Sequence, residues 1–200
     1  MSNKKCYPKK HIIMIFYGVS GSGKSMLLDM MKSTFANVTL HKKDSDRPAR
    51  KREPKEGTPE LRLVKKFGPK KDYLFKYKQY GHWYAVRKDQ LNKAFANHEV
   101  HLIILGNMNA LKKFKTFYPH AITIYVHSDP ENIPDRLIKR DTLEFGKRQK
   151  RIDDLYRDFL RNNTFFDFIV LNFWDGKNAK KQAENIIKKY LERTGRLFHC

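Results

Sequence analysis

The chain has 200 residues, 40% hydrophobic and 13% aromatic, which is enough apolar material for one packed domain and too much for a disordered chain. Lys and Arg total 42 against 21 Asp and Glu, a formal net charge of +21. Such a field draws in polyanions, nucleic acid among them, and phosphorylated small molecules. No apolar run approaches a membrane span, and the two cysteines, Cys6 and Cys200, suggest neither a disulfide framework nor a zinc site, which suits a reducing cytoplasm.

Residues 1–10 are basic and polar, lack the apolar core of a signal peptide, and read as a tail. His11 to Tyr17 is an apolar run of the kind found in a buried parallel strand. Gly18-Val19-Ser20-Gly21-Ser22-Gly23-Lys24-Ser25 follows and matches the phosphate-loop pattern at every fixed position. Met26 to Met31 then reads as the opening of a helix. Glycines let successive backbone N–H groups turn inward around an anion, and the helix start adds partial positive charge. In that context Lys24 reaches the β and γ phosphates of ATP, and the Ser25 hydroxyl is the metal ligand that holds Mg²⁺.

Val38 to Leu40 reads as a short strand. From His41 to Lys71 the chain is polar and basic, and Pro48, Pro54, Pro59 and Pro69 interrupt any long helix. Within it Arg47 and Arg50, with Glu53, place two guanidinium groups in a proline-stiffened loop, a fit for the oxygens of an acceptor phosphate. Tyr73 to Tyr84 alternates aromatic and polar residues, as short antiparallel strands do, with Trp83 read as a core aromatic. Lys88 to Asn97 reads as a helix, Val100 to Leu105 as a second buried strand, Ala110 to Phe117 as a helix stopped at Pro119, and Ala121 to Val126 as a third core strand. Glu131 to Arg140 and Lys147 to Leu160 read as helices, the second with an apolar stripe of Ile152, Leu155, Tyr156 and Phe159. Phe165 to Leu171 is the last strand and Asn178 to Arg193 the closing helix. His98, His101, His120 and His127 lack metal-ligand spacing and read as strand-end or surface residues.

Strands alternating with helices predict an α/β fold, a parallel sheet covered on both faces. The departure from that alternation between about 41 and 93 predicts an acceptor-binding insertion on a core of 11–40 and 98–200, with a helical lid over about 134–152. Arg136 and Arg140 share a helix face, and with Arg151 they form a second basic set suited to a transferring phosphoryl group.

At these motifs the chain resembles the guanylate kinase family, over nearly all of its length. The loop is similar to the family's Gly-Pro-Ser-Gly-x-Gly-Lys-Ser. Arg47, Arg50 and Glu53 keep the spacing of its Thr-Arg-x-Pro-Arg-x-Gly-Glu, with the proline moved to Pro48. Asp72-Tyr73-Leu74-Phe75 is similar to Asp-Tyr-x-Phe, and Gly81-His82-Trp83-Tyr84 to Gly-Asn-Tyr-Tyr. Arg136, Arg140 and Arg151 keep the spacing of the family's lid arginines, and Phe166 to Asn172 is similar to its closing strand. The resemblance implies a P-loop kinase using ATP and Mg²⁺, with Lys24, Arg136, Arg140 and Arg151 catalytic. It implies that Gly18, Ser20, Gly21, Ser22, Gly23, Lys24, Ser25, Met26 and Asn172 bind the donor nucleotide. Arg47, Arg50, Glu53, Tyr73, Tyr84 and Asn107 would bind the acceptor, GMP or another phosphate monoester.

Three departures touch acceptor recognition. Ala85-Val86 replaces the family's Gly-Ser, and no glutamate lies between Phe75 and Tyr80 to read the donors of guanine. The strand end Gly106-Asn107-Met108-Asn109 lacks both acids of the family's Leu-Asp-x-Asp-x-Gln-Gly and is more similar to the Val-Asn-Gly-Ser-Arg of ribose 1,5-bisphosphate phosphokinases. Two readings of the acceptor therefore stand, a guanylate and a sugar phosphate. A nucleic-acid-associated role for the basic surface stands beside them.

Overall fold

β1 (Ile12–Tyr17) is buried at all of its positions, as a strand must be when helices cover both faces of its sheet. The computed structural model describes residues 11–34, 38–50, 53–97, 100–134, 145–172 and 177–193. β1 is the central strand of a five-stranded sheet. On one side it pairs in parallel with β8 (Val100–Ile104), which pairs in turn with β2 (Val38–Leu40). On the other side it pairs with β9 (Ile122–His127), and β10 (Phe168–Leu171) closes that edge.

Alternate residues of β1 feed two cores. Met14 and Phe16 face α1 (Lys24–Thr34) and α5 (Lys177–Arg193), packing with Leu27, Leu28, Met31, Ala183 and Ile187. Ile13, Ile15 and Tyr17 face the other way, toward Leu111 and Phe114 of α3 (Met108–Phe117) and Ile152 and Leu155 of α4 (Phe145–Arg161). The predicted stripe of α4 is in place, with Tyr156 and Phe159 packed at its margin. α3 begins two residues earlier than its apolar pattern suggests, because the Asn107 side chain caps it by accepting from Ala110 N–H at 2.9 Å.

The run from His41 to Lys71, read as loop, contains three short strands: β3 (Lys43–Ser45), β4 (Gly57–Thr58) and β5 (Leu61–Leu63). With β6 (Tyr73–Gln79) and β7 (His82–Arg87) they make a second sheet in the order β4-β5-β3-β7-β6. Segments this short and this charged carry no alternation; pairing of β3 to β7, of β5 to β3 and of β4 to β5 makes them strands. β6 and β7 turn through Tyr80 and Gly81 at φ 52° and 82°, the left-handed pair of a tight hairpin, which is why a glycine stands there. α2 (Lys88–Asn97) leads back to the parallel sheet.

Sheet register also places Trp83. It pairs with Lys78, one step from the Tyr77–Tyr84 pair, so it lies on the opposite face and is 46% exposed rather than in the core. His101 is corrected too. It is fully buried between His41 and His11, with ring nitrogens 3.1 and 3.2 Å apart, because these three residues share a face of β8, β2 and the start of β1. Among the described residues no cluster of His, Cys, Asp and Glu could hold a metal ion by itself, and no helix is long and apolar enough to cross a membrane.

Candidate functional site

The phosphate loop leaves the carboxyl end of the central strand, where the neighbouring chains diverge to β8 on one side and β9 on the other. Ligands of open α/β sheets bind at such a crevice. Lys24 opens α1, and its ammonium donates to Gly18 O at 2.9 Å, Val19 O at 2.6 Å and Ser22 Oγ at 3.3 Å. Gly23 stands at φ 88° with the Asn172 amide packed where a Cβ would project, so a side chain is excluded twice over. Asn172 is buried and donates its Nδ2 to Ser22 O at 2.7 Å. Its role in the structure is to hold the loop from behind. Met26 is 41% exposed beside the loop.

The insertion reaches this loop through a residue that sequence reasoning passed over. Ser25 Oγ donates to Glu60 Oε1 at 2.6 Å, joining positions 35 apart. Burial raises the Glu60 carboxyl, but the Ser25 bond and the charge of Lys43 act the other way and leave it below the usual carboxylate range. Asp29, one turn along α1, is raised by partial burial and then by Glu60. Ser25 and Glu60 present hard oxygens of the type Mg²⁺ takes, so the residues at this loop fit the metal that its pattern implies.

Lys43 is the second residue missed. It is 5% exposed, and burial pushes its amine down from 10.5 to about 8, with Glu60 opposing and Arg47 assisting. Its ammonium lies 5.8 Å from the Tyr84 ring. The folded amine sheds its proton near pH 8 and the unfolded one near 10.5, so the unfolded chain binds more protons between those values. Stability therefore rises with pH across that window. Lys43→Met is expected to stabilise the fold at pH 7 by on the order of 2 kcal/mol. In urea unfolding the gap to the wild type should shrink by pH 9.5; a gap independent of pH would remove the burial cost from the account.

Arg47, Arg50 and Glu53 do come together. Arg47, 9% exposed, donates Nη1 and Nη2 to the two Glu53 oxygens at 2.6 and 2.5 Å, and Nη1 also to Pro48 O. Glu53 further accepts Arg50 N–H at 3.0 Å. Burial raises the Glu53 carboxyl, and the Arg47 bonds more than reverse it, which keeps it ionised. The carboxylate thus orients the guanidinium before any ligand arrives. Tyr84 stands beside this group, stacked on Tyr77 with centroids 5.5 Å apart.

Tyr73 and Asn107 are committed elsewhere. The Tyr73 hydroxyl donates to Asp44 Oδ2 at 2.9 Å, on the face of the second sheet away from Lys43 and Tyr84. Asp44 is fully buried and also accepts Arg62 Nε and Nη2 at 2.9 and 2.7 Å, with Arg87 Nη1 at 3.5 Å. Asn107 is spent on the α3 cap, and Gly106 O accepts Gln79 Nε2 at 2.5 Å. Arg151 falls on α4, while Arg136 and Arg140 lie outside the described residues. Neither Glu60 nor Lys43 carried a signal in sequence: each is one charge in a stretch full of them.

A glycine-rich loop on the central strand of a parallel sheet, with a mixed sheet inserted further along the chain, makes an α/β fold shared with solved P-loop structures. The particular likeness is to the crystal structure of guanylate kinase from Anaplasma phagocytophilum, with a TM-score of 0.59 and 14% identity over 96% of this chain and 90% of that one. At that identity the likeness shows the fold. No protein-family model and no curated protein matches the sequence.

Proposed function

We propose that the chain is an ATP-dependent phosphotransferase that moves the γ-phosphate of Mg·ATP onto a phosphate-bearing acceptor, with GMP the first candidate. One observation carries the reading: a complete phosphate loop is bridged by the Ser25–Glu60 bond to an insertion holding a buried, pre-oriented Arg47. In this mechanism Lys24 exchanges the neutral oxygens of Gly18, Val19 and Ser22 for the anionic β and γ oxygens of ATP. Bound at Ser25, Mg²⁺ supplies charge neutralisation of the phosphate oxygens. Arg47 and Arg50 hold the acceptor phosphate, one of whose oxygens attacks the γ-phosphorus in line. The bond to the bridging oxygen breaks and its electron pair leaves with ADP. The attacking oxygen is already anionic, so no general base is required. Arg136, Arg140 and Arg151 would close over the moving charge as a lid.

A sugar phosphate is the second reading of the acceptor, and Lys43 favours it. A cationic amine beside Tyr84 complements a second anionic or hydroxyl-rich group better than the N1 and N2 donors of guanine. The test is ADP release from Mg·ATP against GMP, dGMP, AMP, UMP, CMP, ribose 1,5-bisphosphate and a 5′-hydroxyl oligonucleotide. Turnover with GMP alone supports the first reading and turnover with the bisphosphate alone the second. Oligonucleotide turnover would assign the +21 charge to a polynucleotide substrate. Silence across the panel with ATP still bound would overturn the phosphotransferase reading.

A further inference from the structure

The strand end that would carry an acidic residue beside the phosphate loop carries Gly106 and Asn107, and both are committed. Asn107 Oδ1 accepts from Ala110 N–H and Gly106 O accepts from Gln79. The carboxylate that touches the loop arrives instead from the turn before β5, as Glu60, at 2.6 Å from Ser25 Oγ. A serine hydroxyl that gives a lone pair to a cation must direct its proton away from it. A carboxylate accepting that proton fixes the hydroxyl in the ligating orientation and, being a hard anionic oxygen donor, also attracts the cation and its bound waters. Lys43, a cation of the insertion whose charge acts on Glu60, makes no ion pair with it within 4 Å among the described residues, so its ammonium does not take the cation's place on the carboxylate.

We propose that Glu60 is the acidic member of the Mg²⁺ site, holding the Ser25 hydroxyl and the water ligands of the metal from the inserted sheet. This rests on the reading of the phosphate loop as a Mg·nucleotide site. The carboxylate that serves the metal then belongs to the inserted segment, which the Ser25–Glu60 bond already joins to the loop. Glu60 is a positioning residue here, acting through the Ser25 hydroxyl.

The test is ADP affinity by calorimetry on the full chain, with saturating Mg²⁺ and with excess EDTA, for the wild type, Glu60→Gln, Ser25→Ala and the double variant. The wild type should gain affinity from Mg²⁺. Glu60→Gln should lose about 10–100-fold of that gain while its affinity in EDTA stays within about twofold. The double variant should lose no more than Ser25→Ala alone, since the two side chains act as one unit. With Mn²⁺ in place of Mg²⁺, the amplitude of protein-bound Mn·ADP in electron paramagnetic resonance should fall in parallel. The near-wild-type EDTA affinity of Glu60→Gln reports an intact loop in that variant, circular dichroism reports the fold of the two Ser25 variants, and Glu60→Asp, which keeps the charge, should recover part of the gain. A full Mg²⁺ gain in Glu60→Gln overturns the proposal, as does an acceptor affinity that falls with the metal gain intact. Absence of any ADP binding by the wild type overturns both this proposal and the reading beneath it.

Discussion

Lys24→Ala is expected to lower ATP turnover by about 10²–10³-fold or more, the scale on which removing one pre-placed charge from a phosphoryl-transfer site acts. The side chain is poised for this. Its ammonium is held among Gly18 O, Val19 O and Ser22 Oγ, inside the ring of backbone that would receive the phosphates. Truncation removes the cation without leaving a buried charge; it releases neutral acceptors on the buried Gly18, Val19 and Ser22, a cost of about 1–3 kcal/mol that is small beside a domain stability of about 5–15 kcal/mol. The fold should therefore survive, and near-UV circular dichroism should match the wild type. ADP release by the purified variant with the best acceptor of the panel is the measurement. Turnover within threefold of the wild type would mean that Lys24 is a structural donor of the loop and not a ligand of the triphosphate.

The largest effect on stability should come from Asp44→Ala, at about 3 kcal/mol or more. The carboxylate is fully buried and gathers Arg62, Arg87 and the Tyr73 hydroxyl from three strands of the second sheet. Removing one partner from such a group leaves the others desolvated and unpaired, which typically costs 3–5 kcal/mol. Two features place this case at the lower end. Arg62 is 42% exposed and can return to water, and Arg87 keeps Asp89 through two bonds at 2.8 and 2.7 Å. The loss should be local. Amide exchange should accelerate across Tyr73–Gln79 and His82–Arg87 well before β1 or β9 is affected, and ADP affinity in EDTA should change little. A change below about 0.5 kcal/mol in urea unfolding would show that the network is worth no more than a surface ion pair.

The loop pattern that holds Lys24 between a strand and a helix was present in the order of residues. The phosphate loop is a local device in which glycines, backbone N–H groups and a helix start act within one short run, so its chemistry is written in consecutive letters. The buried strands Ile12–Tyr17, Val100–Ile104 and Ile122–His127 were legible for a similar reason, since continuous apolar runs bounded by turns have few alternatives. Asp44, Lys43 and Glu60 were not. Each sits in a polar, proline-broken stretch whose three short strands exist only because β7 pairs with β3 and β3 with β5. With no alternation of their own, these segments hid which side chains turn inward.

The same distinction explains Tyr73 and Trp83. Spacing put both among the insertion's aromatics, but a strand sends successive side chains to opposite faces, and register alone decides which face is which. Pairing of Tyr77 with Tyr84 sent Tyr84 toward Arg47 and Lys43 and left Trp83 outward, while the register irregularity between Tyr73 and Phe75 turned Tyr73 to the opposite face, where it meets Asp44. The sequence by itself determined that this chain has a parallel α/β core with a phosphate loop, because those properties arise from neighbours in the chain. Tertiary structure alone decided that the carboxylate beside Ser25 is Glu60 and that a cationic lysine is buried next to it. Both arise from contacts between residues far apart in sequence, whose free energy depends on folded geometry and leaves no trace in local order.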